Sequence, residues 1–329
     1  MSILDDIVRS TKARVEHDKK AGLPPRRSNC RGGYPPHPSH TPNPAQMRNF
    51  EQNAPISSLT SPLPNSHSSL PTHHSPPPTL HTQLHSLTSK LSTPHLPLPT
   101  LPLSPFLFEK TLRQPGFHFI CEIKKASPSK GVIAEDFPYL DIAREYEDAG
   151  ASAISVLTEP EFFQGSDQYL AEISEVARIP LLRKDFVVDP FQIEQAACLG
   201  ADAILLICSI LSPPELSEYI KEADRFGLSC LVEAHDEDEI RIALNAGARV
   251  IGVNNRDLKT FNVDTGNSIR LHKLIPDGVV FVSESGVSTA ADVELLRQNG
   301  ISVVLIGETL MRARDKKATL AALCAGTRG

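Results

Sequence analysis

The sequence predicts a (β/α)8 barrel of the TIM type, preceded by an N-terminal helical extension that a disordered Pro/Ser/His-rich insert interrupts. Three observations lead there. Downstream of Phe106, short apolar runs alternate with helix-patterned stretches at intervals of roughly 20 to 30 residues, the βαβ rhythm of a parallel sheet. The runs number eight, in about 210 residues, which is the count and size of such a barrel. Ionisable groups also gather at the carboxyl ends of these runs, the rim where barrel enzymes carry their sites.

The elements follow in order along three segments: 1–22, a helix of the barrel extension; 23–105, the insert; and 106–329, the catalytic barrel. The opening "MSILDDIVRSTKARVEHDKK" reads as an amphipathic helix with Ile3, Leu4, Ile7, Val8 and Val15 on one side. Asp5, Asp6, Glu16 and Asp18 deny it the uninterrupted apolar region of a signal peptide. The insert then concentrates proline and histidine, with Glu51 its single acidic residue. Phrases such as "YPPHPSHTPNP" and "LPLPTLPLSP" hold neither a helical nor a strand period. Proline withholds backbone donors, so a packed core is not expected there. Its histidines (37, 40, 67, 73, 74, 81, 85 and 95) lack a metal-ligand spacing, and its "PPP" and "PLPTLP" pieces are weak SH3-type signals.

The eight runs are "FHFICEIK", "ASAISVLTE", "IPLLRKDF", "ADAILLICS", "LSCLVEAH", "ARVIGVNNRD", "GVVFVSESG" and "ISVVLIGE". Between them lie stretches such as "YLDIAREYEDAG" and "PPELSEYIKEADRFG", several ending in a glycine suited to the left-handed helix cap. The net charge of −6 argues against a nucleic-acid protein, and no apolar run reaches the roughly 18 to 20 residues of a membrane span. Six cysteines without CxxC spacing read as core residues of a reduced, cytoplasmic protein.

Polar groups end six of the eight strands. The first gives Glu122 and Lys124, then Ser127, Pro128, Ser129 and Lys130 in its loop; the third gives Arg183, Lys184, Asp185 and Phe186. The fifth gives Glu233 and His235, and the sixth Asn254, Asn255, Arg256 and Asp257. The seventh gives Ser283, Glu284, Ser285 and Gly286, and the eighth Gly307 and Glu308. Six such ends converging on one rim point to a site. Gly286 and Gly307, after strands 7 and 8, would let backbone amides approach a phosphate, with Ser285 as a hydroxyl donor. Glu122 and Lys124 share a strand face, and buried lysines and carboxylates are tunable toward acid–base work. A structural ion pair closing the barrel is the alternative reading of that pair.

The region from about Phe108 onward resembles indole-3-glycerol-phosphate synthase. The resemblance rests on "EIKKASPSKG", "LLRKDFVVDPFQIEQAACLGADAILLI", "LVEAHDEDEI", "IGVNNRDLKTFNVD", "SESGV" and "LIGETLM", each in order and at the expected strand. It implies a carboxy-lyase of tryptophan biosynthesis that closes an indole ring. The substrate would be 1-(2-carboxyphenylamino)-1-deoxyribulose 5-phosphate and the products indole-3-glycerol phosphate, CO₂ and water, with no metal or cofactor. By motif position it implies Lys184 as the general acid at the ketone, and Glu233 as stabiliser of the cationic intermediate and base. Lys124 would bind the substrate carboxylate or act as second acid, with Glu122 orienting it and assisting the last proton removal. Asn254, counted with the catalytic set, and Arg256 would hold sugar hydroxyls and the charges around them, with Glu284 also on the substrate. Ser127, Ser285, Gly286, Gly307 and Glu308 (through its backbone) would take the phosphate end; Phe186 and Pro128 would pack on the anthranilate ring.

For partners the resemblance implies a phosphorylated small molecule, no nucleic acid and no membrane. It implies a monomer, with association with other tryptophan-pathway enzymes left open. Two rivals stand beside it: another phosphate-binding barrel such as a phosphoribosylanthranilate isomerase, and an inactive barrel whose Pro-rich tract binds a partner. The family's "ILDxIVxxxxxRV" opening matches Ile3 to Val15, and its "F-x-x-A-L-R-x-P-G" phrase survives as "FEKTLRQPG". The insert stands where a short helical stretch is usual, and the resemblance implies that this N-terminal extension packs over the barrel mouth and contributes to substrate binding, so the insert bears on affinity more than on chemistry. Deleting residues 24–104 is therefore expected to leave a soluble, folded barrel. A circular-dichroism spectrum of an unfolded chain would overturn that expectation.

Overall fold

The computed structural model describes residues 2–24, 105–256 and 262–325. The insert expected at 23–105, Cys30 and Asp257 therefore lie wholly or almost wholly outside the described residues. Eight parallel strands close into the expected barrel: β1 (His118–Ile123), β4 (Ala153–Leu157), β5 (Leu181–Lys184), β6 (Ala203–Ile207), β7 (Ser229–Ala234), β8 (Val250–Asn254), β9 (Val280–Glu284) and β10 (Val303–Ile306). Closure is made by β10 beside β1, with His118 opposite Val303 and Cys121 opposite Ile306. Each apolar run of the sequence contains one of these strands. A small antiparallel hairpin, β2 (Ala126–Ser127) and β3 (Gly131–Val132), sits in the loop after β1, where the sequence suggests only a loop.

The two strand faces serve two cores, as the period of 2 requires. Ile120, Leu182, Leu205, Leu231, Val282 and Leu305 point inward and fill the barrel. Phe119, Cys121, Ile154, Ile204, Val232 and Phe281 point outward and pack beneath the helical ring. The lower opening is plugged by helix α2 (Leu107–Leu112), whose Phe108 and Leu112 join the inner cluster.

The outer helices obey their end signals. Helix α5 (Pro190–Leu199) is capped by Asp189 at its start and by left-handed Gly200 at its end. Helix α7 (Glu237–Ala246) starts at Asp236 and stops at left-handed Gly247. The remaining helices are α3 (Tyr139–Asp148), α4 (Asp167–Val176), α6 (Pro213–Arg225), α8 (Gly266–His272), α9 (Ala290–Gln298), α10 (Glu308–Arg312) and α11 (Lys316–Cys324).

The N-terminal helix, α1 (Ile3–Ala21), opens with a Ser2–Asp5 capping box and buries Ile7, Thr11 and Val15. Polar clamps fasten it to the barrel. Arg14 grips Asp185 through both carboxylate oxygens at 2.8 and 2.9 Å, and Lys19 meets Asp189 at 2.6 Å. Ser10 also donates to Glu161. None of the described helices is long and apolar enough to cross a membrane.

Phe108 is fully buried inside the plug, so Phe108→Ala leaves a cavity that the rigid strands cannot close. It is expected to cost about 3–5 kcal/mol in a urea unfolding curve. A loss below about 1 kcal/mol would show that α2 is dispensable to the inner core.

Candidate active site

A cavity of about 440 Å³ opens at the carboxyl ends of the strands. Every residue that the resemblance assigns to the site lines it: Glu122, Lys124, Ser127, Pro128, Lys184, Phe186, Glu233, Asn254, Arg256, Glu284, Ser285, Gly286, Gly307 and Glu308. Strand parity is the cause. Leu182 and Lys184 are two apart, as are Ile120 and Glu122, so an inward apolar residue below sets an inward ionisable one above.

Two ion-pair systems form the floor. Lys124 donates to Glu122 at 2.5 Å. Lys184 lies between two carboxylates, 3.6 Å from Glu233 Oε2 and 3.8 Å from Glu284 Oε2. Asn254 Nδ2 approaches Glu233 Oε1 at 3.4 Å, while its Oδ1 accepts from Ser285 Oγ at 3.0 Å and from the Arg256 backbone at 3.0 Å.

Burial sets the protonation states. It works against the charge on Lys184, but Glu233, Glu284 and Glu122 more than reverse it and hold the ammonium well above its ordinary value. Burial also works against ionised Glu122, and Lys124 and Lys184 overcome it, lowering that carboxyl. Glu284 goes the other way. Burial and then the neighbouring Glu233 charge push it up to about 8, with Lys184 only partly opposing. Its Oε1 is buried without a hydrogen-bond partner.

Two glycines make room for these carboxylates. A Cβ on Gly252 would run into Glu284 Oε1, and one on Gly307 into Glu122 Oε1 with Lys124 Nζ at 3.1 Å. The smallness of Gly307, expected for an approaching phosphate, is thus demanded by the acid–base pair itself. Gly286 is left-handed at φ +88°, and a Cβ there would press on Val263 and Thr265. The side chain of Glu308, expected to act through its backbone, gathers three cations at the mouth: Arg312 at 3.1 Å, Arg256 at 3.7 Å and Lys130 at 3.8 Å.

Not every charged strand end serves the cavity. Arg183 has outward parity, is 1% exposed, and ties β5 to its helices through Asp167 at 2.8 Å, Gln195 at 2.8 Å and the Gln192 carbonyl at 2.9 Å. Asn255 is likewise structural, bridging Ser283, Ser268 and the Ser285 carbonyl. Lys125 is absent from the lining. No group of three or more His, Cys, Asp or Glu able to hold a metal occurs among the described residues.

A family model described as indole-3-glycerol phosphate synthase matches residues 84–323. The chain belongs to the indole-3-glycerol phosphate synthase family. A relative of that name from Ruminiclostridium cellulolyticum is 63% identical over 220 residues, covering 67% of this chain and 85% of the relative. Another of that name, from Endomicrobium trichonymphae, is 56% identical over 63% of this chain and 80% of its own length. The solved structure of 3-hexulose-6-phosphate synthase from Salmonella typhimurium, 14% identical, covers 64% of this chain and 98% of its own with a TM-score of 0.53, a likeness of fold alone.

Beyond the family motifs, three contributions went unassigned in the sequence. Ile3, Leu4 and Ile7 of α1 form an apolar part of the cavity wall, at the barrel mouth where the resemblance puts the extension, although no motif named these residues as lining. Ser288, Thr309 and Arg312 join the lining near Gly286 and Gly307, with only proximity in sequence to signal them. Asp185 belongs to the frame: it accepts from Arg14, from Thr158 Oγ1 at 2.8 Å, and from the Phe186 backbone at 2.8 Å.

Burial disfavours ionised Asp185, yet Arg14 and then Arg183 hold its carboxyl below the usual range. A depressed carboxyl contributes stability above its unfolded value of about 4 and loses it as pH falls through the folded value. Arg14→Met is therefore expected to destabilise the protein by about 2–4 kcal/mol near neutrality, where a buried anion loses its main partner. The gap from wild type should close in acid. Thermal melts from pH 3 to 8 measure it, and a gap independent of pH would exclude the ion pair as its cause.

Proposed function

We propose that the chain is an indole-3-glycerol-phosphate synthase: a carboxy-lyase converting 1-(2-carboxyphenylamino)-1-deoxyribulose 5-phosphate to indole-3-glycerol phosphate, CO₂ and water in tryptophan biosynthesis. The observation that carries the reading is Lys184, held protonated between Glu233 and Glu284 beside a second ammonium–carboxylate pair. A cavity of about 440 Å³ lies within the range, roughly 300–1,000 Å³, of sites for a molecule this size.

In this proposal the ring carbon bearing the carboxylate attacks the ketone carbon, and the ketone oxygen takes a proton from Lys184. An ammonium beside the oxygen is the electrostatic partner that a developing alkoxide requires. Glu233 faces the cationic intermediate and serves as base. The ring regains aromaticity when the carboxylate leaves as CO₂. The new hydroxyl then leaves as water, with a proton from Lys124, while Glu122 assists removal of the last carbon-bound proton. Neutral Glu284 and Asn254 hold sugar hydroxyls, since a carboxyl near pKa 8 retains its proton and can donate at neutral pH.

Ser127, Ser285, Gly286, Gly307 and the Glu308 backbone suit the phosphate end, where Lys130 and Arg312 add positive charge, and Arg256 suits the sugar hydroxyls beside Asn254. Phe186 and Pro128, with the apolar face of α1, suit the aromatic end. We place the enzyme in the cytoplasm as a monomer, with residues 106–329 as the catalytic barrel and the insert outside the chemistry.

Indole fluorescence should appear when purified protein meets the substrate. Lys184→Ala and Glu233→Ala are each expected to lower kcat by at least about 10², the scale of one positioned acid or base. Near-wild-type turnover in either folded variant would remove that residue from the mechanism. Absence of any product with folded wild type would favour the inactive-barrel reading.

A further inference from the structure

We propose that His235 is a positioning residue for Glu233, a fixed cation that holds one oxygen of that carboxylate while Lys184 holds the other. His235 lies two residues after Glu233 at the end of β7, on the same face, yet does not line the cavity. Its Nε2 is 3.5 Å from Glu233 Oε1, whereas Lys184 Nζ is 3.6 Å from Glu233 Oε2. On its other side, Nδ1 is 3.0 Å from Glu239 Oε2.

Glu239 is itself fixed. It sits in the first turn of α7, where Asp236 caps its backbone at 2.9 Å, and the same Oε2 accepts the His235 backbone N–H at 2.8 Å. Asn267 on α8 holds the His235 carbonyl at 3.2 Å. The ring therefore has its two nitrogens aimed at two different carboxylates. Nδ1 hydrogen-bonds Glu239, whereas Nε2 is buried without a hydrogen-bond partner and meets Glu233 Oε1 only at ion-pair distance, so a charged ring is the form that attracts Glu233.

The groups facing His235 act in the same direction. Glu233 comes from β7, Glu239 from α7 and Glu284 from β9; Cys208, after β6, touches the Glu239 carbonyl at 3.6 Å. Burial opposes the charge on His235, and these carboxylates outweigh it, raising the ring to about 9. His235 would thus be charged through the working range and lose its hold on Glu233 only in alkali.

This inference rests on Glu233 acting in the reaction, and the test separates the two. In full-length protein, His235→Gln keeps a donor but removes the charge. It is expected to lower kcat about tenfold with KM within about twofold, and to remove the part of the wild-type alkaline fall centred near pH 9, leaving the part near pH 8 that loss of the Glu284 proton produces. A His235→Gln enzyme with wild-type kcat and the same alkaline fall would overturn the proposal. As a readout independent of that variant's folding, imidazole ¹⁵N shifts should show His235 doubly protonated at pH 7.5. In Glu233→Gln its midpoint should drop by at least about one pH unit, since one partner carboxylate is gone. An unmoved midpoint overturns the positioning role, whereas full turnover by Glu233→Gln overturns the reading of Glu233 itself.

Discussion

Glu122, Glu233 and Glu284 lie within one barrel mouth at 4, 3 and 2% exposure, and the arrangement of the mouth follows from the cost of keeping them there. A carboxylate taken out of water without a partner costs several kcal/mol, so each must be paired or remain protonated. Lys124 pairs with Glu122, but Lys184 stands between Glu233 and Glu284. One ammonium charge does not neutralise two carboxylates, and burial first, then the unneutralised Glu233 charge, raises Glu284. The shared lysine is held firmly protonated by the same crowding. A charged lysine and a neutral carboxyl thus arise together in one crowded mouth.

The scaffold meets that electrostatic demand with small, local means. Gly252 and Gly307 remove the two Cβ atoms that would occupy the space of the Glu284 and Glu122 carboxylates. Asp185 fixes the turn after Lys184 by accepting the Phe186 backbone, and it is held from outside the barrel by Arg14. The ionisable floor is therefore set by rigid strand ends, while the mouth is bridged by half-exposed pairs to Glu308. Such exposed pairs are worth little individually, which suits a rim that must open to an anionic substrate.

The barrel was legible because each strand announced itself as an apolar run and each helix end carried its own stop, as Gly200 and Gly247 show. The inward ionisable residues were legible because parity turns Glu122 and Lys184 toward whatever Ile120 and Leu182 face. Less legible was the division of labour among charged neighbours. Arg183 and Asn255 stand beside Lys184 and Asn254 in sequence, yet one position of parity or one backbone turn sends them into the frame. Nor does sequence foretell which distant partner a side chain meets. Arg14 and Asp185 are separated by 171 positions, and no local period joins them.

That long-range clamp bears on how α1 is held. Helix α1 ends at Ala21 and α2 begins at Leu107, and closure entropy grows only with the logarithm of length, about 0.6 kcal/mol for each doubling. A bidentate, buried Arg14–Asp185 pair is worth more than one or two such doublings when its loss strands a buried anion. That pair holds α1 on the barrel and keeps Ile3, Leu4 and Ile7 in the cavity wall. Helix α1 and the barrel thus recognise each other by their own side chains, far apart in sequence as they are.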